Sequence, residues 1–266
     1  MDFDAFERER WAGQAAAYER GFTRLTAYTT GALLDAAGVT AGTRLLDVGT
    51  GTGVVAGAAV ARRARVTAID AEPSMAEAAA RNVPGLDVRV AVLPDLPLPD
   101  GAFGAVTGNF VINLVGDPAA ALAELRRVLR AGGRLALTCW TYPPPPVLGV
   151  AAEAIEAAGV LWPDDVPRPP FRTYSSPEPF AALLAGTGFT GATARLLSWE
   201  HRVDPGQWWE EVYLSSVSSN GFVIRRQDTA TVARIRNEFD RLIARYAVDG
   251  GEVALPAVAV LASGIR

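Results

Sequence analysis

Apolar and polar positions along the chain alternate between two rhythms. Residues 5–37 are helical in pattern, with Ala15, Ala16 and Ala17 as helix formers and Leu25, Leu33 and Leu34 as apolar anchors. Gly38 ends that stretch. Residues 44–48 then form a short, nearly all-apolar run between Gly42 and Gly49, the pattern of a strand buried on both faces. The alanine-rich segment 54–64 predicts a helix, 65–70 a second strand, and 74–82 a helix that stops before Pro84 and Gly85. Residues 86–92 and 105–109 are strand-like. Residues 118–129 form an amphipathic helix, with Asp117 as its N-cap and Pro118 in its first position. Ala131, Gly132 and Gly133 are expected to end that helix before a strand over 134–140. Strands alternating with helices through short links predict an α/β fold, a doubly wound parallel sheet with right-handed crossovers.

Beyond Trp140 the rhythm loosens. Prolines 143–146 make a stiff link, followed by a helix over 147–158 and a proline-rich loop to Pro170. Ser176 is expected to cap a helix that starts at Pro177 and runs to about Ala185. Residues 193–201 are strand-like, and helices are predicted over 205–217 and 231–247. The second of these puts Val232, Ile235, Phe239, Leu242, Ile243 and Tyr246 on one apolar face. Residues 252–265 read as a final strand, bent at Pro256. The expected organisation is a single domain with an N-terminal helical lid (1–40), a ligand-binding core (41–142) and a remainder with small helical cap insertions (143–266).

Composition narrows the chemistry. The chain has 266 residues, half of them hydrophobic, and a net charge of −4. All 25 basic residues are arginine, which excludes a Schiff-base lysine and a phosphate-binding Walker lysine. A single cysteine, Cys139, excludes an intrachain disulfide and a cysteine zinc cluster, and no metal centre is expected. A single histidine, His201, excludes any scheme that needs a pair. The mild acidity argues against a nucleic-acid partner. The acidic start of the chain and the shortness of the apolar run 253–262 predict neither a signal peptide nor a membrane span, hence a soluble, cytoplasmic protein with no membrane contact.

The most informative segment is Leu45-Leu46-Asp47-Val48-Gly49-Thr50-Gly51-Thr52-Gly53. A glycine-rich turn between a buried strand and a helix lets a ligand approach the backbone. The dinucleotide fingerprint needs its third glycine at position 54, which is Val54, so a nicotinamide oxidoreductase is disfavoured. Asp47 can order the loop or face a cation, and would repel a pyrophosphate. Asp70 ends the next strand, where a carboxylate can accept both hydroxyls of a ribose. Asp70, Asn109, Trp140 and His201 all fall near carboxyl ends of strands, the edge where open parallel sheets bind ligands.

At these residues the chain resembles the class I S-adenosylmethionine-dependent methyltransferases. Gly49, Gly51 and Gly53 match the loop beneath the methionine part of the cofactor, Asp47 the acid before it, Asp70 the ribose acid, and Met75 the apolar residue on the adenine. Pro97 and Pro99-Asp100-Gly101-Ala102-Phe103 match the stretch before strand four, Asn109-Phe110-Val111 the segment after it, and Leu129-Arg130-Ala131-Gly132-Gly133 the turn before strand five. The resemblance is close from Leu45 to Trp140 and looser beyond. It implies a seven-stranded, mostly parallel Rossmann-like sheet whose last strand is antiparallel. It also implies S-adenosyl-L-methionine as cofactor, held by Asp47, Gly49, Thr50, Gly51, Gly53, Asp70, Ala71, Met75, Leu93 and Asn109.

Two positions depart from the family pattern. Val92 stands where an acid commonly binds the adenine amino group, and Gly104 where aspartate is frequent. The implied reaction is methyl transfer to an O, N or C atom of a small, largely apolar metabolite, in natural-product biosynthesis. The alternative is a non-methylating reaction such as cyclisation, with the cofactor structural or absent. Substrate contacts are expected from Tyr18, Asn113, Trp140, Tyr142 and Trp209. Tyr18, Phe22 and Tyr28 are read either as a lid or as packing of an N-terminal helix, and Trp208, Trp209 and Tyr213 as cap core or pocket lining. His201 is a candidate general base, with a surface position the commoner state for such a residue. A homodimer is left open.

Overall fold

The computed structural model describes residues 3–214 and 218–266. Helices α1 (Phe3–Trp11), α2 (Ala15–Ala27) and α3 (Thr30–Ala36) precede strand β1 (Arg44–Val48). Then come α4 (Val54–Ala61), β2 (Arg65–Asp70), α5 (Pro73–Asn82), β3 (Asp87–Val90), β4 (Phe103–Asn109), α6 (Pro118–Val128) and β5 (Leu129–Trp140). The second half holds α7 (Pro146–Ala157), α8 (Pro177–Gly186), β6 (Thr190–Val203), α9 (Pro205–Trp208), α10 (Ser219–Arg225), α11 (Thr229–Ile243) and β7 (Val253–Ile265).

The seven strands lie in the order β3-β2-β1-β4-β5-β7-β6. β1 to β5 are parallel, and β7 runs antiparallel between β5 and β6. This is the mostly parallel, doubly wound sheet that the sequence predicts. Strand order reverses between β1 and β4, so a crevice opens beyond their carboxyl ends. Leu122 and Leu125 of α6 and Phe180 and Leu184 of α8 bury one face of the sheet. Leu33 and Leu34 of α3, with Val55 and Ala59 of α4, bury the other against Leu45 and Ala105. A further cluster belongs to the helical cap. There Val150 and Ile155 of α7 meet Ile235 and Phe239 of α11 around Trp208, Trp209 and Tyr213. Among the described residues no helix is long and apolar enough to cross a membrane.

Local departures from the sequence reading have physical reasons. The stretch 5–37 is three helices, broken at Gly13, whose φ is +70°. α6 ends at Val128, and Leu129 already pairs with Phe103. Gly132 and Gly133 are absorbed into β5 because the Arg266 backbone bonds both of them, at 3.0 and 2.9 Å. The helix predicted over 205–217 is only one turn, α9, continued by a wider π-helical segment, Trp209–Leu214. That segment packs where Gly21 of α2 leaves room: a Cβ there would stand 3.0 Å from the Glu211 carbonyl. The predicted end at Val217 lies outside the described residues. α10 shows no apolar period in sequence; the Ser218 hydroxyl caps it by accepting the Gly221 N–H at 2.9 Å.

Candidate functional site

The carboxyl ends of β1, β2, β4 and β5 open into a cavity of about 840 Å³, within the usual range for small-ligand sites. Gly49 (φ +61°) and Gly51 (φ +55°) form part of its floor. A Cβ at Gly49 would lie 2.6 Å from the Val111 Cβ, so only glycine fits there. At Gly51 the backbone faces the cavity, and a Cβ would stand 3.5 Å from the Tyr18 ring.

Asp70 stands at the tip of β2. One of its carboxylate oxygens accepts the Gly51 N–H at 2.8 Å and the other the Glu72 N–H at 3.0 Å. Burial pushes its pKa up, against these two bonds and a weaker one from the Ala71 N–H. Each oxygen keeps a second lone pair for a ligand hydroxyl. Met75, Ala71, Ile69, Val92 and Leu93 make the adjoining wall apolar. These residues fit S-adenosylmethionine: a carboxylate with two free lone pairs for the ribose, bare glycine backbone for the amino-acid end, and an apolar wall for the adenine. Val92 supplies no acceptor for the adenine amino group.

Asp47, Thr50 and Gly53 support the loop from beneath rather than facing the cavity. Asp47 is buried and accepts the Thr50 and Thr107 hydroxyls, both at 2.8 Å. This ties the glycine loop to β4. Burial raises the Asp47 pKa to about 6, opposed by those hydroxyl bonds. Asn109 lines the cavity, but its side chain is engaged. Its oxygen accepts the Thr29 and Thr138 hydroxyls, each at 2.7 Å, and its amide donates to the Thr26 carbonyl at 3.0 Å. It thereby fastens the C-terminal end of α2 to β4 and β5.

The other end of the cavity is aromatic and partly cationic. Asn113, Trp140 and Tyr142 line it, while Tyr18 stands over the glycine loop beside Gly51 and Met75. Tyr18 stacks on Phe22 at 6.2 Å, and its hydroxyl is 3.0 Å from that of Thr26. Burial holds the Tyr18 phenol above its ordinary pKa, so it stays protonated near neutrality. Arg172 lies 4.4 Å over the Tyr142 ring. α1 roofs the site through Phe6, Glu7, Arg10 and Trp11, with Glu7 paired to Arg10 and accepting the Trp11 indole N–H at 3.1 Å. Two bonds anchor α1 and the turn after it: Gly116 N–H to Asp4 at 2.6 Å, and Gly13 N–H to Glu72 at 3.0 Å.

Two sequence candidates stand apart from the cavity. His201 is neither at the surface nor at the site. It is 2% exposed, with Trp208 at 4.9 Å and Tyr28 at 6.4 Å. Burial, with a smaller push from Arg24, lowers its pKa to about 4. It lies on the outermost strand, but α9 folds back over it. Trp209 is cap core, packed on Tyr213 and Phe239. The roofing residues of α1 were missed because its charged, weakly amphipathic sequence reads as a solvated helix. Phe110 was missed as well: φ is +60°, and its ring stacks on Trp140 at 4.1 Å. A left-handed aromatic residue is uncommon, and its position beside the site is its signal.

Residues 46–137 match the Methyltransferase domain family. The demethylmenaquinone methyltransferase of Clavibacter sepedonicus is 40% identical over 112 residues, which is 41% of this chain and 45% of that protein. The chain spans about a third to a half of the length of the curated relatives it matches. A putative methyltransferase from Bacillus halodurans has the same fold, with a TM-score of 0.57 over 90% of this chain and 98% of that one, at 19% identity. So does the 4+2 cyclase SpnF, with a TM-score of 0.50 over 92% and 83% at 19% identity. Residues 46–137 thus carry the methyltransferase-domain pattern, and the sheet around them has the fold of these solved structures. The matched segment is the third of the chain that carries the glycine loop and Asp70.

Proposed function

We propose that the protein transfers a methyl group from S-adenosylmethionine to an O, N or C atom of a small, largely apolar metabolite. The observation that carries this reading is the Asp70 carboxylate and the bare Gly49–Gly51 backbone opening into the same cavity as Trp140, Tyr142 and Asn113. When bound, the cofactor supplies an activated methyl on a sulfonium. The chain's contribution is then positioning and exclusion of water, which can supply on the order of 7–11 kcal/mol. In this reading Asp70 holds the ribose, Gly49 and Gly51 lie along the amino-acid end, and Met75, Ala71 and Leu93 pack on the adenine. Asp47, Thr50 and Gly53 keep the loop in shape. Tyr18 and the α1 roof close the site, and Trp140 and Tyr142 face the acceptor. The lid, core and cap of 1–40, 41–142 and 143–266 then share one task between cofactor and acceptor.

A second reading, rearrangement of a substrate with the cofactor structural, is favoured by Val92, which leaves the adenine amino group without a side-chain acceptor. Incubation with methyl-labelled S-adenosylmethionine and a panel of phenols, hydroquinones and amines separates the two. Acceptor-dependent release of S-adenosylhomocysteine with label in the acceptor supports methyl transfer. An acceptor that rearranges without gaining label overturns it.

A further inference from the structure

Two asparagines follow β4 at the cavity wall, and they differ in one respect. The amide of Asn109 is satisfied on both sides by Thr26, Thr29 and Thr138. Asn113 is 4% exposed and lines the cavity, yet among the described residues neither its amide nitrogen nor its oxygen has a hydrogen-bond partner. Leaving both atoms of a buried amide unpaired is costly, and such a group in a native site calls for an explanation. The cavity lining is mixed: Phe6, Phe110, Val115 and Phe171 are apolar, and Arg8, Arg10, Arg168 and Arg172 are cationic. In the roof Glu7 is engaged with Arg10 and Trp11 and Asp4 with the Gly116 N–H, while the buried Arg10 Nε has no partner among the described residues.

Resting on the methyl-transfer reading, we infer that Asn113 recognises an acceptor molecule presenting a hydrogen-bond donor beside a hydrogen-bond acceptor on one edge, as a lactam, a catechol or a hydroxy-ketone does. The amide geometry sets this class. Nδ2 donates and Oδ1 accepts, a few ångströms apart and in one plane. A carboxylate would satisfy only the nitrogen and face the oxygen with like charge. An ammonium would satisfy only the oxygen. A neutral group offering both closes a two-bond ring with the side chain and pairs both of its atoms. Asn113 is then a specificity-determining residue, distinct from the groups that hold the cofactor.

Carbostyril, a fused-ring lactam with N–H beside C=O, and N-methylcarbostyril, which lacks the donor, test the inference by calorimetric titration. Both are titrated into wild type and Asn113→Leu, with and without saturating S-adenosylhomocysteine. Wild type is expected to bind carbostyril at least about tenfold more tightly than its N-methyl derivative. Asn113→Leu is expected to bring the two within about twofold while leaving S-adenosylhomocysteine affinity unchanged. Its melting temperature should hold or rise, because two orphaned polar atoms are removed; a structural role would lower it. Equal affinities in wild type would show that solvent serves the amide and overturn the inference. So would failure of the S-adenosylhomocysteine-loaded protein to take up either probe, or a fall in S-adenosylhomocysteine affinity in the variant. If wild type binds no S-adenosylhomocysteine, the methyl-transfer reading falls, and the probe pair still decides the role of Asn113.

Discussion

Each oxygen of Asp70 already accepts one backbone N–H, so the carboxylate both shapes the loop and offers its remaining lone pairs to a ligand. Asp70→Asn replaces one acceptor by a donor facing the Gly51 or the Glu72 N–H. S-adenosylhomocysteine affinity should fall by about ten- to a hundredfold in calorimetry, from loss of charge-assisted bonds. Val92→Asp should act in the opposite sense, restoring an acceptor at the adenine end and tightening binding about two- to tenfold. Two buried groups away from the ligand set opposing pH slopes. Asp47 has its pKa raised to about 6 in the fold, so the folded state holds the proton longer. Stability falls as pH rises from about 4 to 6, and the ionisation penalty is complete above that. His201 is lowered to about 4; its unfolded form takes the proton first, so stability rises with pH from about 4 to 6.5. Asp47→Asn should gain on the order of 2 kcal/mol at pH 8 and lose the Asp47 share of the falling slope, Asp70 keeping its own. His201→Phe should keep only the falling one. Urea unfolding midpoints across pH check both, and curves parallel to wild type would contradict them. His201 was misplaced by sequence reasoning because exposure on an outer strand depends on what folds over it, and α9 is positioned by tertiary packing.

The β1–loop–α4 unit was legible because glycine spacing is a direct record of backbone conformation. Gly49, Gly51 and Gly53 all have positive φ. Gly49→Ala adds both a left-handed strain and a clash with Val111, and should cost about 2–3 kcal/mol in chemical denaturation. Val111→Gly in the same chain, which removes the Cβ as well, should recover only the steric share. Elements whose shape depends on neighbours were less legible. The π-helical segment exists where Trp208, Trp209 and Tyr213 must all be buried between α2 and α11, and local pattern carries no trace of that demand. The merger of Arg130–Gly133 into β5 depends on the Arg266 backbone, 133 residues after Gly133. Met75 and Asp70 were found by spacing, whereas Asn113 became informative only when its orphaned amide was set against the saturated one of Asn109.

Across the whole molecule, sequence likeness covers less of the chain than fold likeness, and the family match ends at residue 137. Matches to relatives stay within about 40% of the chain, while fold matches extend over nine-tenths of it. The placement of β7 accounts for this difference. β6 arrives at the ligand edge and β7 departs from it, side by side and antiparallel. Everything from Asp204 to Glu252 therefore leaves and re-enters the sheet at one doorway. Antiparallel neighbours tolerate connections of any length, and lengthening a connection costs little free energy. An insert hung this way can be exchanged as a cassette, provided that its packing on Gly21 and Phe22 of α2 is kept. Chimaeras carrying a foreign 204–252 should retain nucleoside uptake and change only their choice of guest, so that new reactivity is acquired by swapping furniture and not by rebuilding the house.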